Sequence, residues 1–205
     1  ITADPLASIV ARSDLNYTWF TYAAEATTEQ LALLQNGVNT VRATGLDISE
    51  NHGVGLLVLT EDLNRCPFQA IGLIFGNDVL YHGWTGISGP NSQVTCFDFP
   101  PPPEPVEIDF QMFVGGVEDP LRSNAIWAET GNGDTPPDDL VGRSTAVELV
   151  QPLRGLNGDE FDNYDTIIQD PQPIIAQPGD TWACFQIESP PEPYPDLDQG
   201  ISATW

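Results

Sequence analysis

Residues 90–105 read PNSQVTCFDFPPPPEP, and residues 178–193 read PGDTWACFQIESPPEP. Set side by side without a gap, they share Pro90/Pro178, Cys96/Cys184, Phe97/Phe185, Pro102/Pro190, Pro103/Pro191, Glu104/Glu192 and Pro105/Pro193, at a constant spacing of 88 residues. Each copy joins an apolar, alternating stretch to a run of prolines. Alternation makes the first part a strand, with Phe97 and Phe99 on one face, matched by Phe185 and Ile187 in the second copy. Val94 and Cys96 take the other face, matched by Trp182 and Cys184. The phenylalanine face is the better core candidate, which leaves both cysteines on the far face, within reach of a neighbouring strand.

Prolines lack the backbone donor that a sheet needs and favour polyproline II, so Pro100–Pro103 ends the strand and acts as a stiff spacer. A phrase repeated at this interval predicts a tandem array. The expected division is a first β-sandwich unit over 1–99, a Pro-rich connector over 100–105, a second unit over 106–189, and a connector plus C-terminal strand tail over 190–205. The fold class is all-β, two sandwiches of immunoglobulin-like or jelly-roll type. Strands are expected at Leu15–Tyr22, Val38–Leu46, Val54–Thr60, Phe68–Phe75, Asp78–Trp84 and Gln93–Phe99. In the second unit they are expected at Val106–Val114, Ser123–Ala128, Ser144–Val150, Asp165–Gln169 and Thr181–Glu188. A short helix begins at Thr27-Thr28-Glu29-Gln30, with Gly37 as its stop. The layout resembles extracellular immunoglobulin-like and cadherin-like arrays in architecture alone.

The tail carries the functional expectation. Leu197, Ile201, Ala203 and Trp205 fall on one face, and Ile201–Trp205 echoes Leu15–Trp19, the opening strand of the first unit. A unit-opening strand thus follows the second connector, with no unit behind it. An apolar strand cannot stay unpaired in water. Three destinations are open: its own second unit, the sheet of a neighbouring copy by strand addition, or a further unit of a longer array. Strand addition is the leading expectation, with Leu197, Ile201, Ala203 and Trp205 as the assembly residues. A head-to-tail contact that does not close into a ring gives a filament.

Charge narrows the partners. The 205 residues carry 30 acidic and 6 basic side chains, for a net charge of −24, and every basic residue is arginine. Phosphate backbones and anionic lipid surfaces would be repelled, so neither nucleic acid nor membrane insertion is expected. No apolar run is long enough to span a bilayer. High salt, solubility or Ca²⁺ binding each accounts for such acidity. For Ca²⁺, the one cofactor suggested, the candidate ligands are Glu104, Glu107 and Asp109 beside the first connector and Asp159, Asp162 and Asp165 in the 157–165 loop. Three cysteines are an odd set. With Cys96 and Cys184 in separate units, Cys66–Cys96 is the expected disulfide, and three buried thiols are the alternative.

No catalytic constellation emerges. His52 and His82 lie in no metal-binding motif, Ser88 in GISG is not a nucleophile elbow, and no spacing selects a carboxylate pair. The expectation is a non-enzymatic structural subunit of an extracellular filament or surface layer, partnered by copies of itself. An adhesin or carbohydrate-binding module is the alternative, with a glycan as partner and Trp19, Trp84, Trp127 and Trp182 as the stacking candidates. An acidic secreted hydrolase comes third. The chain opens at Ile1 as a processed, exported protein would, and Asn16-Tyr17-Thr18 is its sequon.

Overall fold

The computed structural model describes residues 4–12, 17–45, 55–58, 71–74, 77–81, 89–115, 125–133, 135–149, 161–165, 173–189 and 200–204. Within them the chain is all-β, with one short helix. The elements are β1 (Asp4–Arg12), β2 (Tyr17–Ala23), α1 (Thr28–Leu31), β3 (Asn77–Tyr81), β4 (Thr95–Asp98), β5 (Val106–Ile108), β6 (Gln111–Gly115), β7 (Ala125–Gly131), β8 (Val147–Glu148), β9 (Phe161–Asp165), β10 (Ile174–Ala176), β11 (Trp182–Glu188) and β12 (Gly200–Thr204).

Strand pairing does not follow the expected division at Pro100–Pro105. One four-stranded sheet runs β4-β11-β7-β8, and the other runs β3-β12-β6-β9. Each takes strands from both sides of the proline run. A β1–β2 hairpin and the pair β10–β5 complete the pairing. The two copies of the repeated phrase are adjacent strands of one sheet. β4 and β11 lie antiparallel with Phe97 opposite Ala183, Cys96 opposite Cys184 and Thr95 opposite Phe185. Two strands of like pattern suit this arrangement, because each offers one apolar face and both faces match when the strands run antiparallel.

The core joins the two large sheets. Leu80 of β3 and Met112 and Val114 of β6 pack with Ile126 and Ala128 of β7 and Ala183, Phe185 and Ile187 of β11. Phe97 and Phe99 pack against this cluster, so the phenylalanine face is the core face as expected. Phe110 stacks on Phe185 with ring centroids 3.6 Å apart and planes within 7°. Phe97 meets both rings edge-on, at 6.3 and 6.5 Å. The two edge-on contacts have the geometry that aromatic quadrupoles favour. The alternation over Val106–Val114, expected as one strand, is divided after Ile108. β5 pairs with β10, while β6 pairs with β12 and β9. The break at Asp109-Phe110 lets one apolar series serve two sheets.

A second apolar cluster lies on the outer face of the β4-β11-β7-β8 sheet. Trp182, Cys184 and Leu140 are buried there, with Val94, Cys96, Trp127 and Ala146 packed around them. The 135–146 segment covers it, tied down by Gln186. The Gln186 Oε1 accepts from the backbone N–H of Leu140 at 2.6 Å and of Val141 at 3.3 Å, and its Nε2 donates to the Ser92 carbonyl at 2.9 Å. Ser92 Oγ in turn accepts from the Ile187 N–H at 2.9 Å. A glutamine can sit in this core because its amide satisfies the backbone of a covering loop, which would otherwise be left without partners.

Among the other expected elements, Leu15–Tyr22, Asp78–Trp84, Gln93–Phe99, Ser123–Ala128, Ser144–Val150 and Thr181–Glu188 overlap β2, β3, β4, β7, β8 and β11 within the described residues. The described parts of Val38–Leu46, Val54–Thr60 and Phe68–Phe75 contain no strand. Of Asp165–Gln169 only Asp165 is described, as the end of β9, and β1 and β10 were not anticipated. Helix α1 has its expected capping box: Thr27 N–H donates to Gln30 Oε1 at 2.7 Å, and Gln30 N–H donates to Thr27 Oγ1 at 3.4 Å. The helix ends at Leu31, well before Gly37, because it buries no residue that would reward its extension.

Candidate functional site: the C-terminal strand

β12 pairs antiparallel on both sides. Against β3, Ile201 lies opposite Leu80, Ser202 opposite Val79 and Ala203 opposite Asp78. Against β6, Ala203 lies opposite Val114 and Thr204 opposite Phe113. The last strand of the chain is therefore an interior strand of its sheet. β3 and β6 do not pair with each other, and the gap between them is one strand wide. The register puts Ile201 and Ala203 at positions flanked by Leu80 and Val114, both fully buried core residues.

Of the three destinations left open, strand addition to a neighbour was the leading one, and here the strand lies within its own chain, between β3 and β6. The tandem reading assigned β3 to the first unit and β6 to the second, so no slot between them existed on paper. The sheet brings these strands together and leaves the slot. Of the four expected assembly residues, Ile201 and Ala203 lie in β12, while Leu197 and Trp205 lie outside the described residues.

The slot is anchored at its β3 side. Asp78 is 1% exposed, and its carboxylate accepts from the Gln93 N–H at 2.5 Å. The segment before β4 is thereby held to β3, one sheet to the other. The isolated bridge between Asn91 and Glu188, together with Ser92 N–H to Ile187 carbonyl at 2.8 Å, extends the β11 side of the same junction.

The disulfide is the second correction. Cys96 and Cys184 are bonded, with Cα atoms 4.1 Å apart, across 88 residues of chain. The Cys66–Cys96 pairing is excluded by this bond, and Cys66 lies outside the described residues. Adjacent antiparallel strands bring directly opposite Cβ atoms close enough to bridge, a distance that separate units would forbid. Cross-linking a loop of this length stabilises the fold by roughly 4–5 kcal/mol in the chain-entropy account.

The carboxylates proposed for Ca²⁺ are spread over different parts of the fold. Glu107 lies in β5 opposite Ile175, and Glu104 is exposed beyond it. The Asp109 carboxylate accepts from Gln111 Nε2 at 3.1 Å. Asp162 and Asp165 lie in β9, opposite Val114 and Gln111, and Asp159 lies outside the described residues. Among the described residues no three histidine, cysteine or carboxylate side chains converge. Among the described residues, a salt bridge with a buried carboxylate joins Glu129 on β7 to Arg143 of the covering segment, at 2.7 Å. Its hydrogen bond, then its charge, holds the Arg143 guanidinium further above its already high ordinary pKa.

His52, His82, Ser88, Asn16 and Trp84 lie outside the described residues. Trp127 and Trp182 are packed around the disulfide; Trp127 Nε1 donates to Glu188 Oε2 at 2.9 Å. No described helix is long and apolar enough to cross a membrane. No family model matches the chain, no curated protein matches it, and no solved structure matches it.

Proposed function

We propose that this chain is a non-enzymatic structural subunit of an extracellular filament or surface layer, joined head-to-tail by addition of its C-terminal strand to a neighbouring copy. One observation carries the reading: β12, which follows the second proline-rich stretch, is an interior strand of a four-stranded sheet, paired on both sides. Such a strand is the simplest device for linking subunits, because the same backbone ladder forms whether the strand comes from one chain or the next. The Cys96–Cys184 bond supports an oxidising, extracellular setting, where a disulfide persists. A net charge of −24 with no lysine suits a solvent-facing surface that resists non-specific clumping.

A carbohydrate-binding role would call for a platform of exposed aromatic rings. Trp182 is buried and Trp127 is half-buried against the disulfide, so these two rings favour packing over sugar stacking. Negative-stain imaging of the full chain across a range of concentrations tests the structural reading. Fibres or sheets of regular repeat are the expected result. Separate particles at every concentration, in high salt and low, would overturn it.

A further inference from the structure

We infer that the slot between β3 and β6 is the acceptor for β12 of a second copy, so that subunits join by exchange of a strand that each chain can also hold itself. The inference rests on the structural-subunit reading above and names the partner surface and its register. Three observations converge on it. The slot needs an occupant: without β12, the facing edges of β3 and β6 lose their ladder, and Leu80 and Val114 lose the strand that runs between them. The occupant that fits is known from the fold itself, since Ile201 lies opposite Leu80, and Ala203 opposite Val114 and Asp78. Another copy carries the same strand and offers the same register. Finally, residues 190–199, which lead into β12, read PPEPYPDLDQ. Four prolines in ten residues bias this stretch towards extended backbone, and against a tight return to its own sheet.

The balance between self-insertion and exchange follows from these parts. The strand pairs are the same in both forms, so they cancel. What remains is the stiffness that four prolines give the 190–199 sequence, set against the concentration of neighbours. Short or stiff hinges shift that balance towards exchange. The covalent lock lies elsewhere: Cys96–Cys184 ties β4 to β11 in the other sheet, so β12 can leave without any bond being broken. Reciprocal exchange closes a dimer, and one-way exchange gives an open chain of subunits.

Paired cysteines in register test the exchange. Ser202 lies opposite Val79 on the neighbouring strand. In a Cys66→Ser background, one protein carries Ser202→Cys alone and another carries Val79→Cys alone. The two are concentrated together, oxidised mildly, and run on a non-reducing gel. A protein with both substitutions, oxidised while dilute, reports insertion within one chain and shows that the variants fold. The expected result is a reducible band at twice the chain mass from the mixture, growing with concentration, and an internal link at monomer mass from the dilute double variant. A mixture that stays at monomer mass while the double variant closes internally overturns the inference. Failure of both to link also overturns it, because the register is its foundation. Filaments without the cross-chain link would leave the structural role standing and remove the strand exchange. A cross-chain link in closed dimers alone, with no filaments, would keep the exchange and remove the filament.

Discussion

The two four-stranded sheets are built alike and held differently. Each draws strands from both sides of Pro100–Pro103, and each has one strand supplied from far along the chain, β11 in one and β12 in the other. In the β4-β11-β7-β8 sheet that strand is bonded to its neighbour through Cys96–Cys184 and covered on its outer face by the 135–146 segment. In the β3-β12-β6-β9 sheet the late strand is paired by backbone ladders to β3 and to β6. The difference teaches that a covalent tie and a backbone ladder are separate ways of holding a late strand. One sheet has both between β4 and β11, and in the other β12 is joined to its neighbours by ladders.

Removing β12 should do most harm. Deletion of residues 194–205 empties the slot and exposes two unpaired edges with Leu80 and Val114 beside them, a loss of about 3–6 kcal/mol from those two side chains. Most of a domain's margin is of that size. The truncated chain should melt without cooperativity or aggregate, as followed by circular dichroism and light scattering. Adding a synthetic peptide of residues 194–205 during refolding should restore a cooperative transition. A truncated chain that melts like the full one would erase the distinction between the sheets.

The lock comes next. Cys96→Ala with Cys184→Ala should lower stability by roughly 4–5 kcal/mol, or on the order of 10–15 °C in Tm for a chain of this size. The effect should disappear when the parent protein is compared under reducing conditions. Peptide mapping without reductant should recover the 96–184 link. If the double variant loses only a degree or two, the disulfide is not what makes this sheet permanent.

Gln186→Ala tests the cover over the locked sheet. It removes the acceptor for the Leu140 and Val141 N–H groups and the donor to the Ser92 carbonyl, at buried positions. The expected cost is about 2–3 kcal/mol, read from urea unfolding. Amide exchange should quicken at Leu140 and Val141 and stay unchanged along β12.

The smallest effect is expected at Gly131, the end of β7. A Cβ there would lie 2.5 and 2.6 Å from ring atoms of Trp182. Gly131→Ala should therefore push the indole aside at a cost of about 1–2 kcal/mol, with a matching change in tryptophan fluorescence. A neutral Gly131→Ala would mean that the Trp182 ring is free to move, and that the packing around the disulfide is looser than its burial implies.

Much of this was legible along the chain because strand alternation is a local property. The period of two placed Phe97, Phe185 and Ile187 on a core face and both cysteines on the other, and the capping box at Thr27–Gln30 started its helix where expected. The apolar tail strand was legible for the same reason, through Ile201 and Ala203. Alternation also misled where nothing else supported it: Val106–Val114 reads as one strand, yet two sheets divide it. The sequence by itself determined the all-β class, the faces of the repeated strands, the acidity, and the presence of a C-terminal strand in need of partners. Only the tertiary structure decided that the two repeats are neighbours in one sheet, that Cys96 bonds Cys184 across 88 residues, and that β3 and β6 leave a slot for β12. The physical reason is that pairing between strands is a contest among distant edges. A strand's own residues set which face is apolar, but not which of several similar edges it will meet, and that choice depends on how all the apolar faces can be buried at once.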